Sequence, residues 1–389
     1  MAGVQIEFVQ TTEHVGILRS VEGNLPHLLR RFASHNRALH SVLAAGLARG
    51  HRGNPAASLR VEQLYGLPVL LSGTAALVLK KSEEGFLDSH YKRKLESLMK
   101  LHQATPEAVV FFLAGALPAT ARLHLKQLSL FSMITRLPNN ILHRIAMHRL
   151  TTAKDTSTSW FIRIRDLCLR YGLPHPISQL RNPMSKLSAK SLFKSKVIDY
   201  HEIMLRESAS SLSSLYYFKP NFMSLTKPHP LWTSCCEDSY EVSKAIIEAK
   251  LISGRYRTDR LSRHFQGSSN GDCRMCDEAV PGTIEHLLLQ CPSLEPTRSK
   301  MFKSVTERHD FSALTKTIIC DVFSSPVLTD KVQLLLDCSC LPVVISSRQF
   351  GDQTQSELFK FARTWCFSVH AHREKLLKAQ DKQVNTPNS

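Results

Sequence analysis

Near the start of the chain the apolar positions Val4, Ile6 and Phe8 alternate with Gln5 and Glu7, the period of a half-buried strand. A polar turn at residues 11–13 and a second apolar run at residues 15–18 complete a short predicted hairpin. From residue 24 the spacing becomes helical. Asn24 is placed to cap a helix with Pro26 in its first turn, and Leu25, Leu28, Leu29, Phe32, Leu39, Leu43 and Leu47 mark its inner face up to Gly50. Asn54 and Pro55 repeat the start signal, and further helices are predicted over residues 83–101 (Leu87, Leu95 and Leu98 inward), 140–150 and 239–252, with another starting at Ser185. Ser157 or Ser159 caps one that places Trp160, Ile164, Leu167, Cys168 and Tyr171 on one face before Gly172, Pro174 and Pro176 stop it. The pattern predicts a mainly α protein with a short N-terminal β-hairpin. Proline-containing stretches at residues 173–183 and 219–230 read as linkers.

Composition agrees with a folded chain. With 43% hydrophobic and 21% charged residues among 389, collagen-like, coiled-coil and wholly disordered classes are excluded. The first residues carry no basic leader with an apolar core, so the chain is not expected to be secreted; a nuclear or cytoplasmic location follows. The longest uncharged run, residues 63–79, is broken by Gly66, Pro68 and Gly73 and reads as buried core, so no membrane partner is expected. Charge changes the picture more. Fifty Lys and Arg against 33 Asp and Glu leave +17, which biases the surface toward polyanions and makes nucleic acid the first partner to consider. The plain alternative is that the excess charge only solvates the fold.

Ten cysteines in a chain without an export signal point away from a disulfide framework and toward metal. Cys273, Cys276, His286 and Cys291 form C-x2-C-x9-H-x4-C, four soft ligands suited to tetrahedral Zn2+, with Gly282 where the chain reverses. Four protein ligands leave no open coordination position, so the ion's role would be structural. The alternatives are incidental thiols or a Cys273–Cys276 redox pair, which usually accompanies a βαβ pattern that this sequence lacks. Cys235 with Cys236, and Cys338 with Cys340, read as buried free thiols.

Three basic clusters are candidate nucleic-acid contacts, each with a solvated surface as its alternative. Arg255, Tyr256, Arg257, Arg260, Arg263 and His264 combine phosphate-gripping charge with an aromatic ring that could stack on a base. Lys186, Lys190 and Lys194 recur at i, i+4 and i+8 on one helix face, with Lys196 nearby. Arg49 and Arg52 flank His51 in a loop. No catalytic centre emerges. The acidic neighbours are Glu83-Glu84, Glu237-Asp238 and Asp277-Glu278 rather than paired aspartates, and phosphate-loop, dinucleotide and nucleophile-elbow motifs are missing. Lone histidines such as His143 and His148 do not make one, so the chain is not expected to be an enzyme.

Several segments in order resemble the C-terminal portion of the reverse-transcriptase polyprotein of LINE-type (non-LTR) retrotransposons. They are EHVGILRS at residues 13–20, LHSVLAAGLARGHRGNPAASLRVEQLYGLPVLLSG at 39–73, LISGRYRTDRLSRHF at 251–265, the Cys/His motif ending in CPSL, and TWCFSVHAHREKLL. The resemblance implies a remnant of the palm and primer-grip hairpin at 1–20, with Gly16 at its glycine, and a helical thumb at 21–150. A helical connector at 151–235, a zinc-knuckle domain at 236–310 and a helical tail at 311–389 would follow. The family's palm aspartates and fingers would lie before Met1, so polymerase activity does not carry over. The x9 spacer exceeds the x4 of retroviral knuckles, and the nuclease that follows the knuckle in some related elements would find only scattered acids, Asp310, Asp321 and Asp330. The expected function is a non-catalytic RNA- or DNA-binding fragment with structural zinc, with the missing palm or another protein as a further partner. Alternatives are a protein-interaction module or a degenerate element product without selected function.

Overall fold

The computed structural model describes residues 9–42, 44, 53–154, 157–235, 238–266, 270–276, 278–307, 311–347 and 352–385. It is mainly helical, and opens on an antiparallel hairpin of β1 (Thr11–His14) and β2 (Ile17–Ser20). There follow α1 (Leu25–Val42), α2 (Pro55–Val61), α3 (Leu67–Leu70), α4 (Lys81–Leu98), α5 (Glu107–Ala114), α6 (Ala119–Thr135), α7 (Ile141–Thr152), α8 (Trp160–Arg170), α9 (Pro176–Arg181) and α10 (Lys186–Ser210). The remainder holds α11 (Pro230–Thr233), α12 (Ser239–Ile252), α13 (Asp259–Gln266), α14 (Glu295–Glu307), α15 (Ala313–Ser324), α16 (Leu328–Leu336), α17 (Pro342–Ser347) and the long α18 (Asp352–Asn385).

The chain groups into two compact units, each assembled from separate stretches. One comprises residues 1–49, 57–95 and 116–205, the other residues 50–56, 96–115 and 206–389. The expected divisions at 150/151, 235/236 and 310/311 fall inside these units.

In the first unit the hairpin pairs Thr11 with Ser20 and His14 with Ile17. Val15 and Gly16 form its turn, both with positive φ (50° and 75°). That two-residue geometry matches the twist of antiparallel strands and favours a glycine, so Gly16 fixes the turn and Thr11 to Glu13, expected as the turn, become strand. The expected strand around residues 4–8 lies outside the described residues. Asn24 accepts from Leu28 N through its backbone carbonyl, but its side chain does not cap α1. Its amide instead donates to Val78 O at 2.9 Å and to Glu83 Oε2 at 3.0 Å. Leu28, Phe32 and Leu39 face inward, whereas Leu25 and Leu29, expected beside them, are exposed, and the expected stop at Gly50 lies outside the described residues. Residues 63–79 supply buried Leu67, Leu70, Leu71 and Leu79. In α4, Leu87 and Leu95 are buried and Leu98 is half-buried.

The acids of α4 are structural. Glu84 accepts from His124 Nε2 at 3.1 Å and pairs with Arg163, and His124 Nδ1 lies 2.6 Å from the Tyr171 hydroxyl. Residues 173–183, expected as a linker, contain α9, and Leu173, Pro176, Gln179 and Leu180 are buried there. Proline bars helix continuation but not packing.

The second unit is organised around α18, whose Leu358, Phe359, Phe361, Trp365, Cys366 and Val369 are buried. Helices α12, α14, α15 and α16 pack against it. The helix over 239–252 begins where Asp238 accepts from Tyr240 N at 2.9 Å, so this acid serves as a cap. α5 is buried from Ala108 to Ala114. The residue after it, Gly115 (φ 58°), lets the backbone of Lys227 approach so closely that a Cβ would lie 2.0 Å from the Lys227 carbonyl carbon. His229 N then donates to Leu113 O at 3.1 Å. Residues 219–230, also expected as a linker, are therefore a packed strap with Met223 and Leu225 inside. No single helix among the described residues is long and apolar enough to cross a membrane.

Candidate metal centre and basic arm

The four side chains that could hold a metal come from two short backbone devices in the second unit. In the first, Asp272 bridges Pro281, Cys273 N donates to Val280 O at 2.8 Å, and Gly271 (φ 85°) and Ala279 (φ 50°) turn the chain. This narrow loop presents Cys273 and Cys276. The second is a wide helical turn, His286–Gln290, which starts where His286 N donates to Thr283 Oγ1 at 3.2 Å and closes where Cys291 N donates to His286 O at 2.7 Å. Pro292 then turns the chain into α14.

Four ligand atoms, one each from Cys273, Cys276, His286 and Cys291, lie within 4.8 Å of one another. Cys273 Sγ and Cys291 Sγ are 3.9 Å apart, and Cys276 Sγ is 3.4 Å from His286 Nε2. A tetrahedral ion with bonds of about 2.3 Å to sulfur and about 2.0 Å to nitrogen needs edges of roughly 3.8 Å and roughly 3.5 Å. Those two edges are close to what ligands around one ion need, and the 3.9 Å between sulfurs is far from the bond of about 2.05 Å of a disulfide. Cys273 and Cys291 are buried, as is His286, and Cys276 is half-buried. Burial pushes the Cys273 thiol up to about 12, raises Cys291 and lowers His286. A buried cation reverses that preference and makes clustered thiolates tenable. The cluster could hold a metal ion. Cys235 and Cys338 are buried elsewhere and Cys340 half-buried, while Cys236 lies outside the described residues.

The basic arm enters this site from α12. Tyr256 does not serve as a base-stacking platform, because it is 6% exposed. Its hydroxyl lies 2.8 Å from His370 Nδ1 and the Arg373 guanidinium covers its ring at 5.7 Å. It anchors the loop to α18. Three residues on, Asp259 opens α13 and is 3% exposed. Its carboxylate accepts from Arg274 Nε at 2.9 Å and Arg274 N at 3.3 Å, with Arg373 at 3.5 Å. Arg260 N donates to Gly282 O at 3.3 Å. A Cβ on Gly282 would stand 2.8 Å from Asp259 Cβ, so this glycine permits close approach of α13 to the cysteine loop.

Arg257, Arg260 and Arg263 are exposed and Arg255 is half-buried. Among the described residues none of the four pairs with a carboxylate; Arg263 Nη1 donates to Asn270 O at 3.1 Å. The side chain of His264, and Arg49 and Arg52 entire, lie outside what is described. Lys186, Lys190 and Lys194 are all exposed along α10, in the other unit. Asp259, Arg274 and Arg373 were not foreseen as parts of the site. The signal that could have found Asp259 is local: one acid between Arg257 and Arg260, at a helix start.

Comparison with known proteins gives no match: no family model, no curated protein and no solved structure matches the chain.

Proposed function

We propose that the chain is a non-catalytic nucleic-acid-binding segment, akin to the C-terminal portion of a LINE-type reverse transcriptase, in which structural Zn2+ holds a basic arm rigid. The observation that carries this reading is the coupling through Asp259. The residue that starts the arm's helix is buried against the cysteine loop, whereas Arg257 and Arg260 on either side of it are exposed and in no ion pair among the described residues, although Arg260 lies near enough to Glu285 to help lower its carboxyl. A cation that closes Cys273, Cys276, His286 and Cys291 would fix where those guanidinium groups point. Lys186, Lys190 and Lys194 supply a second exposed basic stripe, with about 6 Å between successive residues at helical rise. Binding through such contacts weakens linearly in log affinity against log salt. The test is a salt titration with single- and double-stranded RNA and DNA, before and after chelation. The reading expects affinity that falls steeply with salt and drops again on metal removal. Affinity that ignores salt, or no binding at low salt, would overturn it.

A protein-interaction module remains the rival. It draws on apolar side chains left exposed around the hairpin, Val15 at 85% and Val21 at 66%. Capture of a polymerase palm by a chain that ignores nucleic acid would favour it.

A further inference from the structure

An open groove of about 670 Å3 lies in the second unit, among α14, α15, α16 and α18. Its floor is aromatic. Phe302 and Phe323 have ring centroids 5.4 Å apart, and Phe323 and Trp365 5.1 Å apart. Trp365 is fixed by donating Nε1–H to Leu288 O at 3.2 Å. Lys303 and Lys331 line it too, as does Arg298, which is buried and paired with Glu295. The acid in the lining, Glu295, is already engaged: Arg298 donates to it at 2.7 and 3.1 Å and Ser299 at 2.7 Å. The pair that Lys303 makes with Glu307 is long, 3.8 Å, and exposed. Helix α14, which supplies Arg298, Phe302 and Lys303, begins one turn after the metal-ligating Cys291.

The geometry points to a binding site for one unstacked nucleotide of a single-stranded nucleic acid, its base on the Phe302–Phe323 floor and its phosphate drawn by Lys303 and Lys331. Every base has a π-face, so an aromatic floor accepts it without sequence preference, and the two lysines complement the backbone. A groove of this size suits one small planar ligand. An extended peptide would want a free sheet edge, and the second unit has no strand among its described residues. The inference rests on the nucleic-acid reading above and adds a base-recognising site that the arginine arm does not supply.

The test uses the full chain with its metal and compares a short single-stranded RNA with the same strand made abasic, by fluorescence anisotropy across a salt series. Wild type is expected to prefer the base-bearing strand by about tenfold, as one stacked base gives. Phe302→Leu, which keeps the bulk and removes the ring, should abolish that preference and leave the salt slope. Lys331→Gln, at a half-buried position of the lining, should lower the slope by about 0.7 for the lost phosphate contact. The paired change Arg257→Gln and Arg260→Gln should lower the slope with the base preference intact. Equal affinity of wild type for both strands, or a preference that survives Phe302→Leu, overturns the groove and leaves the charge-based reading standing. No binding of either strand overturns both. Displacement of the strand by an acidic aromatic peptide, without any base preference, also overturns the assignment and gives the groove to a protein.

Discussion

Arg274 Nε donates to Asp259 Oδ1 across 2.9 Å, tying the cysteine loop to the first turn of α13. Arg274 is itself half exposed, but Asp259 is buried and also faces Arg373. The pair therefore separates rigidity from charge. Asp259→Asn makes the chain one unit more positive, so simple electrostatics predicts tighter binding to RNA. Loss of the tie predicts the reverse, because the flanking arginines lose their fixed direction. We expect weaker binding, by about threefold to thirtyfold, together with about 1–3 kcal/mol lower stability from the disturbed buried hydrogen bonds. Anisotropy at fixed salt and a urea melt check the two parts.

Metal content gives the second prediction. Elemental analysis should find one zinc per chain, and Cys276→Ala or His286→Ala should abolish it. Chelation of the wild type should increase protease cleavage of residues 270–291 and leave the first unit's thermal transition in place, since all four ligands belong to the second unit.

Gly282→Ala isolates the close approach at Asp259. With a Cβ only 2.8 Å from Asp259 Cβ, backbone must shift, and overpacking of this kind costs about 1–3 kcal/mol. Thermal unfolding should show the loss. Gly85→Ala, where a Cβ meets nothing within 4 Å, should stabilise α4 by about 0.5–1 kcal/mol.

Acid sensitivity is expected in the first unit. Burial and the neighbouring His35, Lys94 and Arg93 lower His90 to about 4; burial, His124 and Arg170 do the same for His201. Between about pH 6.5, where unfolded histidine titrates, and about pH 4, the unfolded chain binds protons that the folded chain refuses. Stability should therefore be full above that window and fall as pH drops through it. His90→Gln keeps a hydrogen-bonding partner for His35 Nδ1, which lies 3.1 Å from His90 Nε2, and should flatten the slope in denaturant melts run between those pH values.

The Cys/His cluster was legible because its members are local: Cys273 to Cys291 span nineteen residues, and their spacing states which atoms converge. The helix over 239–252 was legible for the same reason, with an acid cap and a clear periodicity. By contrast α5 offers no periodicity, because Val109, Val110, Phe111, Phe112 and Leu113 are all buried and a helix apolar on every side has no face to read. Tyr256 was misjudged because its partner His370 lies 114 residues away. Nothing near an arginine-rich stretch distinguishes a ring that anchors from one that stacks. The two proline stretches read as linkers because proline interrupts apolar periodicity, yet Pro176 starts α9 and both Leu180 and Met223 are packed inside.

The interlacing of the two units governs how the molecule can be dissected. A fragment starting at residue 151 or 206 would carry the metal cluster yet omit α5, stripping the apolar plug from beneath the strap and leaving His229 N without the Leu113 carbonyl. Such a piece should be insoluble, whereas co-expression with a separate chain spanning residues 96–115 should restore it, so this helix acts as an internal ligand delivered from far upstream.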